Sequence, residues 1–123
     1  MPSGEVLLIE DDEEIRAALE DALQSEGYHV IAARNGAEGL RALESSAGVS
    51  LVLLDLMMPV MNGYEFIGHV RENEDFRGIP LLVVSANAER RRIEGADGVI
   101  HKPFDLDRLF DSIRKVQPEK ESA

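Results

Sequence analysis

Short apolar runs recur along the chain at residues 6–9, 51–54 and 81–84, with a weaker one at 99–100 and a fifth candidate at 28–32. The first three do not alternate with polar residues. A strand with one wet face alternates with a period of two, whereas a short run that is apolar throughout fits a strand covered on both faces, as in parallel sheets. Between the runs the apolar spacing turns helical. Ile15, Leu19, Ala22 and Leu23 share one face, Leu40 and Leu43 centre a second, and Phe66, Ile67 and Val70 make a third. Leu106, Leu109, Phe110, Ile113 and Val116 form the last and clearest stripe. The order β-α-β-α-β-α-β-(α)-β-α predicts an α/β fold with a doubly wound, five-stranded parallel sheet and about five helices. Right-handed crossovers then favour the strand order 2-1-3-4-5.

The fourth crossover is the weakest part of this pattern. Only 14 residues, 85 to 98, separate the last two runs, and a parallel crossover needs about a dozen or more. With Ser85-Ala86 at a strand end and Gly95 to Gly98 reading as a turn, residues 87–94 remain for a helix. Ala88 and Ile93 are their only apolar side chains. A helix that short depends on packing, so the expectation is at most two turns or an irregular segment.

The chain has 123 residues, the size of one compact domain, read as 1–123 with a polar tail over 117–123. Its formal net charge of −11 opposes direct binding to nucleic acid or to anionic membranes. It has no cysteine, which removes disulfides, zinc–thiolate sites and thiol catalysis and fits a cytoplasmic setting. Uninterrupted apolar stretches reach only four residues and the N-terminal residues lack a signal-peptide pattern, so no membrane span is expected.

Ligands of open α/β sheets bind beyond the carboxyl ends of the strands. Those ends carry Glu10-Asp11-Asp12, Asp55, Ser85-Ala86 and Lys102-Pro103. Taken singly, most have an ordinary explanation, although Glu10 and Asp11 precede the helix cap and add repulsion with no local partner in the sequence. Asp12, Glu13 and Glu14 suit the start of a helix, where acids cap free N–H groups and complement the dipole. A lone Asp55 suits a turn, Ser85 a helix cap and Lys102 a solvated loop. The ordinary explanations do not account for all of them meeting on one rim.

Together they make a coherent chemistry. Carboxylates packed together call for a hard cation such as Mg²⁺, which takes oxygen ligands and keeps waters. A carboxylate can also attack a phosphoryl donor and form an aspartyl phosphate. In that arrangement Asp55 is nucleophile and metal ligand, Asp11 binds the metal directly, and Glu10 holds it through water. Lys102 pairs with the phosphoryl group and Ser85 hydrogen-bonds one of its oxygens. Other candidates carry less. His29, His69 and His101 lack metal-ligand spacing, alternation turns His101 away from Lys102, and Arg90-Arg91-Arg92 reads as a solvated face.

The segments VLLIEDD from Val6, DLMMPVMNG from Asp55, Ser85-Ala86, GADG from Gly95 and Lys102-Pro103-Phe104 resemble the receiver domains of bacterial-type response regulators. They span the chain in the family's order. The resemblance implies the flavodoxin-like fold, phosphotransfer from a sensor histidine kinase or phosphotransfer protein, a main-chain ligand to the metal at Met57, and a switched output domain or partner protein. It places Pro59 and Gly63 in shaping the loop after the third strand. It implies a switch that catalyses only its own phosphorylation and dephosphorylation, not a turnover enzyme. Aspartyl-phosphate phosphohydrolases, the competing class, need a second acid two residues after the nucleophile, where this chain has Met57. The chain departs from the receiver pattern twice. Val99 stands where many members carry an aromatic residue, and the stretch from Ser85 to Lys102 is about five residues short.

Overall fold

A computed structural model describes residues 4–46, 48–56, 61–86 and 93–117. In chain order the elements are β1 (Glu5–Ile9), α1 (Glu13–Ser25), β2 (His29–Ala33), α2 (Gly36–Ser45), β3 (Val49–Asp55), α3 (Gly63–Glu72), β4 (Leu81–Ser85), β5 (Gly98–His101) and α4 (Leu106–Val116). All strand pairs are parallel and the order is β2-β1-β3-β4-β5. The expected sheet is therefore present.

The uninterrupted apolar runs divide their side chains between two cores. Leu7 and Ile9 of β1, Val52 and Leu54 of β3, and Leu81 and Val83 of β4 meet Leu43 of α2 and Phe66, Ile67 and Val70 of α3. Their neighbours Val6, Leu8, Leu51, Leu53, Leu82 and Val84 meet Leu19 and Leu23 of α1 and Leu109 and Ile113 of α4 on the opposite face. Successive positions of these runs are thus all apolar because both faces are roofed, as successive side chains point to opposite sides.

The helix starts are set by side chains. Asp12, Asn35, Asn62 and Asp105 each accept a hydrogen bond from the backbone N–H three residues on. At Asn62 the Glu65 carboxylate returns the bond and closes a capping box. Gly39 lies where α2 presses on the sheet: a Cβ there would stand 2.5 Å from Ile9 Cδ1.

Four helices occur among the described residues, one fewer than expected. Residues 87–92, most of the expected fourth helix, lie outside the described residues, as do Arg90-Arg91-Arg92 and the tail after Gln117. Gln117 itself is held: its Nε2 donates to Ser50 O and Oγ, each at 2.9 Å. Two residues read as core are exposed, Ile15 at 39% and Leu106 at 51%. Both lie in the first turn of a helix that begins beyond a strand's carboxyl end, so they overhang the sheet. No helix of the described residues is long and apolar enough to cross a membrane.

Phe66 is completely buried between α3 and the sheet. Phe66→Ala should cost roughly 3–5 kcal/mol in urea unfolding, whereas His69→Ala on the exposed side of the same helix should stay within roughly 0.5 kcal/mol. Equal losses at the two positions would contradict this packing.

Candidate active site

The parallel register carries β1, β3 and β4 to the same rim. Ile9 pairs with Leu54, Asp55 with Val84, and Ser85 with His101. Asp55 is therefore the last residue of β3, Glu10 follows the end of β1 beside it, and Ser85 closes β4. Lys102 follows β5, where its backbone N–H donates to Ser85 O at 2.8 Å. The Lys102–Pro103 peptide is cis.

Glu10, Asp55 and Ser85 are the buried polar residues among those described. Glu10, Asp11 and Asp55 each offer a carboxylate oxygen, and the three atoms lie within 4.8 Å of one another. Lys102 Nζ sits 3.4 Å from Asp55 Oδ2. The sequence thus identified five residues that the fold gathers: Glu10, Asp11, Asp55, Ser85 and Lys102. Met57 and Pro59 lie outside the described residues. Gly63 is buried against the end of β3, donating its N–H to Leu56 O at 2.9 Å. A Cβ there would meet Leu56 Cα at 2.8 Å, so the loop after Asp55 can close this tightly only on a glycine. Val99, which stands where many receivers of the resembled family carry an aromatic residue, is partly buried against the α2–α3 core.

The acidic loop is held by its own chain. Glu10 N–H donates to Ala33 O at 3.1 Å, and Asp12 N–H donates to Glu10 Oε2 at 3.1 Å. Asp12 caps α1 through Ile15 N–H at 3.0 Å, the role its position suggested. Arg16 escaped the sequence reading: its Nη1 donates to Glu10 O at 2.9 Å from one turn into α1. Helical spacing could place Arg16 near the start of α1, but nothing in the sequence aims it back at a carbonyl six residues earlier.

The Glu10 carboxyl is pushed up to about 7, first by burial and then by the neighbouring Asp55 charge and a hydrogen bond with Asp55, all of which favour the neutral form. The Asp12 N–H and the Lys102 ammonium oppose that rise without cancelling it. An oxygen-only cluster in which a carboxyl is forced toward neutrality suits a hard divalent cation, whose charge would restore the ionised state.

A family model described as "Response regulator receiver domain" matches residues 6–114. The chain belongs to the response regulator receiver domain family. It is 35% identical over 117 residues to the uncharacterized transcriptional regulatory protein YkoG of Bacillus subtilis, an alignment covering 93% of this chain and 51% of that protein. The receiver thus spans about half the length of that relative. Among solved structures, the receiver domain of the sensor histidine kinase PA1611 of Pseudomonas aeruginosa, which has a magnesium ion coordinated in its active-site cleft, superposes with a TM-score of 0.86 at 27% identity, over 96% of this chain and 100% of that one. The response regulator TrrA of Thermotoga maritima, solved in complex with the histidine kinase ThkA, gives 0.81 at 30% identity over 93% and 98%.

The sign of the pH dependence follows from Glu10. Its folded value of about 7 lies above the ordinary carboxyl value of about 4.3, so the folded state holds the extra proton between the two. The stability this confers is fully present below the unfolded value and is lost as pH rises through about 7. With metal chelated, the wild-type protein should lose stability between about pH 5 and pH 7 relative to Glu10→Gln. Parallel melting curves for the two proteins across that window would rule out a neutral Glu10.

Proposed function

We propose that this receiver accepts a phosphoryl group on Asp55. The observation that carries the reading is the Lys102 ammonium at 3.4 Å from Asp55 Oδ2, on a strand-end carboxylate that Glu10 and Asp11 flank. An Asp55 carboxylate oxygen attacks the phosphorus of a phosphohistidine or of a small donor such as acetyl phosphate. The P–N or P–O bond breaks, the histidine or acetate leaves with the electron pair, and an acyl phosphate remains on Asp55. Lys102 faces the negative charge of the transferred group, and the Ser85 hydroxyl, at the end of the adjacent strand, supplies a hydrogen bond to one of its oxygens. Glu10, Asp11 and Asp55, with the Met57 carbonyl, would hold Mg²⁺, which when bound neutralises the phosphoryl oxygens.

The family membership supports a sensor histidine kinase or phosphotransfer protein as donor, as does the TrrA–ThkA complex. The curated relative is a regulator about twice as long as the matched region, which supports an output domain or partner protein as the receiver of the signal. The chain acts as a switch modified on itself and not as an enzyme that turns over a separate substrate. Cytoplasmic placement follows from the donor, since the kinase phosphorylates at the expense of cellular ATP.

Incubation with Mg²⁺ and acetyl phosphate should add one phosphoryl group by mass, which hydroxylamine removes as it does acyl phosphates. Asp55→Asn should abolish the addition, and Lys102→Ala should slow it strongly. Labelling of Asp55→Asn to the wild-type extent would refute the assignment.

A further inference from the structure

Asp11 is exposed, so packing does little to place its carboxylate; the backbone that carries it must do so. Its N–H belongs to the same peptide unit as the Glu10 carbonyl. A peptide unit is planar and rigid, so a bond that fixes the Glu10 oxygen also fixes the nitrogen and Cα of Asp11. The Arg16 guanidinium makes that bond, Nη1 to Glu10 O at 2.9 Å, from the first turns of α1. The Glu10 N–H, on the preceding peptide unit, is held by Ala33 O of β2 at 3.1 Å. The turn is thus pinned on one side by the sheet and on the other by the helix. Arg16 is half-buried, and the contact it makes here is to the main-chain oxygen of Glu10 and not to a carboxylate, so its hold on the cluster runs through the backbone.

We propose that Arg16 is a positioning residue for the cation held by Glu10, Asp11 and Asp55: by locking the Glu10–Asp11 peptide plane it presets the direction of the Asp11 carboxylate. This rests on the metal reading given above. Groups that orient metal ligands without touching the ion typically cost 10–100-fold in affinity when removed. A planar guanidinium with donors in a fixed fork is only partly replaced by an ammonium, whose three donors rotate about a single nitrogen.

The test is Mg²⁺ binding to the full chain by isothermal titration calorimetry, alongside melting in EDTA. Arg16→Ala should weaken Mg²⁺ binding by roughly tenfold or more, Arg16→Lys by clearly less, and neither should shift the EDTA melting temperature in proportion. The Mg²⁺ concentration that half-saturates acetyl phosphate labelling should rise by the same factor. Wild-type affinity in Arg16→Ala overturns the proposal and leaves the metal reading intact. An affinity loss that follows the loss of melting temperature equally in both variants assigns Arg16 a purely structural role and also overturns it. Failure of the wild-type chain to bind Mg²⁺ overturns the metal reading and this proposal with it.

Discussion

A parallel sheet can form only if each strand returns to the same end by crossing over one of its faces, and the crossovers then hide both faces from water. In this chain that requirement sets almost everything else. It makes β1, β3 and β4 apolar at nearly every position and divides them between two cores, with α2 and α3 on one side and α1 and α4 on the other. It also brings the strands to a common rim. Because β1 and β3 are adjacent and in register at Ile9 and Leu54, the residues that come next, Glu10 and Asp55, are neighbours in space although 45 apart in sequence. Proximity of the carboxylates is a consequence of strand order.

That proximity is unfavourable in itself. Burying a carboxylate removes its hydration, and a second one beside it adds repulsion. The protein meets the cost locally. One oxygen of Glu10 accepts the Asp12 N–H, and Lys102 faces Asp55. These contacts do not offset the effect of burial, and Glu10 stays shifted toward its neutral form. The same cluster can therefore be relieved by a proton or by a divalent cation, and the two compete for it. A site that its own side chains fully neutralised would have no use for either.

The parts of this design legible in the sequence are those that depend on residue type at a strand end or on apolar period. Five strands, their order and five of the site residues follow from such patterns. Boundaries were less legible: β2 runs His29–Ala33, one residue later than its apolar pattern, because pairing with β1 fixes its register. Ile15 and Leu106 fit helical stripes yet lie exposed, since a stripe records the face of a helix and not how far the helix extends past the sheet. Arg16 was invisible for a related reason. A bond from a long flexible side chain to a backbone carbonyl leaves no pattern in residue types, because every residue offers that carbonyl.

The short connection between β4 and β5 raises the question of what places Lys102. Arg71, near the end of α3, gives part of the answer. Its guanidinium donates to the carbonyls of Gly95, Arg77 and Ile79 and to Asp97 Oδ2, at 2.6 to 3.1 Å. Asp97 in turn accepts the Leu81 N–H at 2.8 Å and donates its own N–H to Leu81 O at 2.8 Å. One side chain with five fixed donors thus joins the entry of β4 to the entry of β5 at the end of the sheet away from the carboxylates. Gly95, with φ +86°, makes the turn that presents its carbonyl, and a Cβ there would strike Ile67 of α3. From that anchor β5 needs only four residues to deliver Lys102, whose N–H is then fixed on Ser85 O. The ammonium opposite Asp55 is therefore positioned through α3 and β4. The strand that carries the lysine is thus fixed at both of its ends by contacts with other elements.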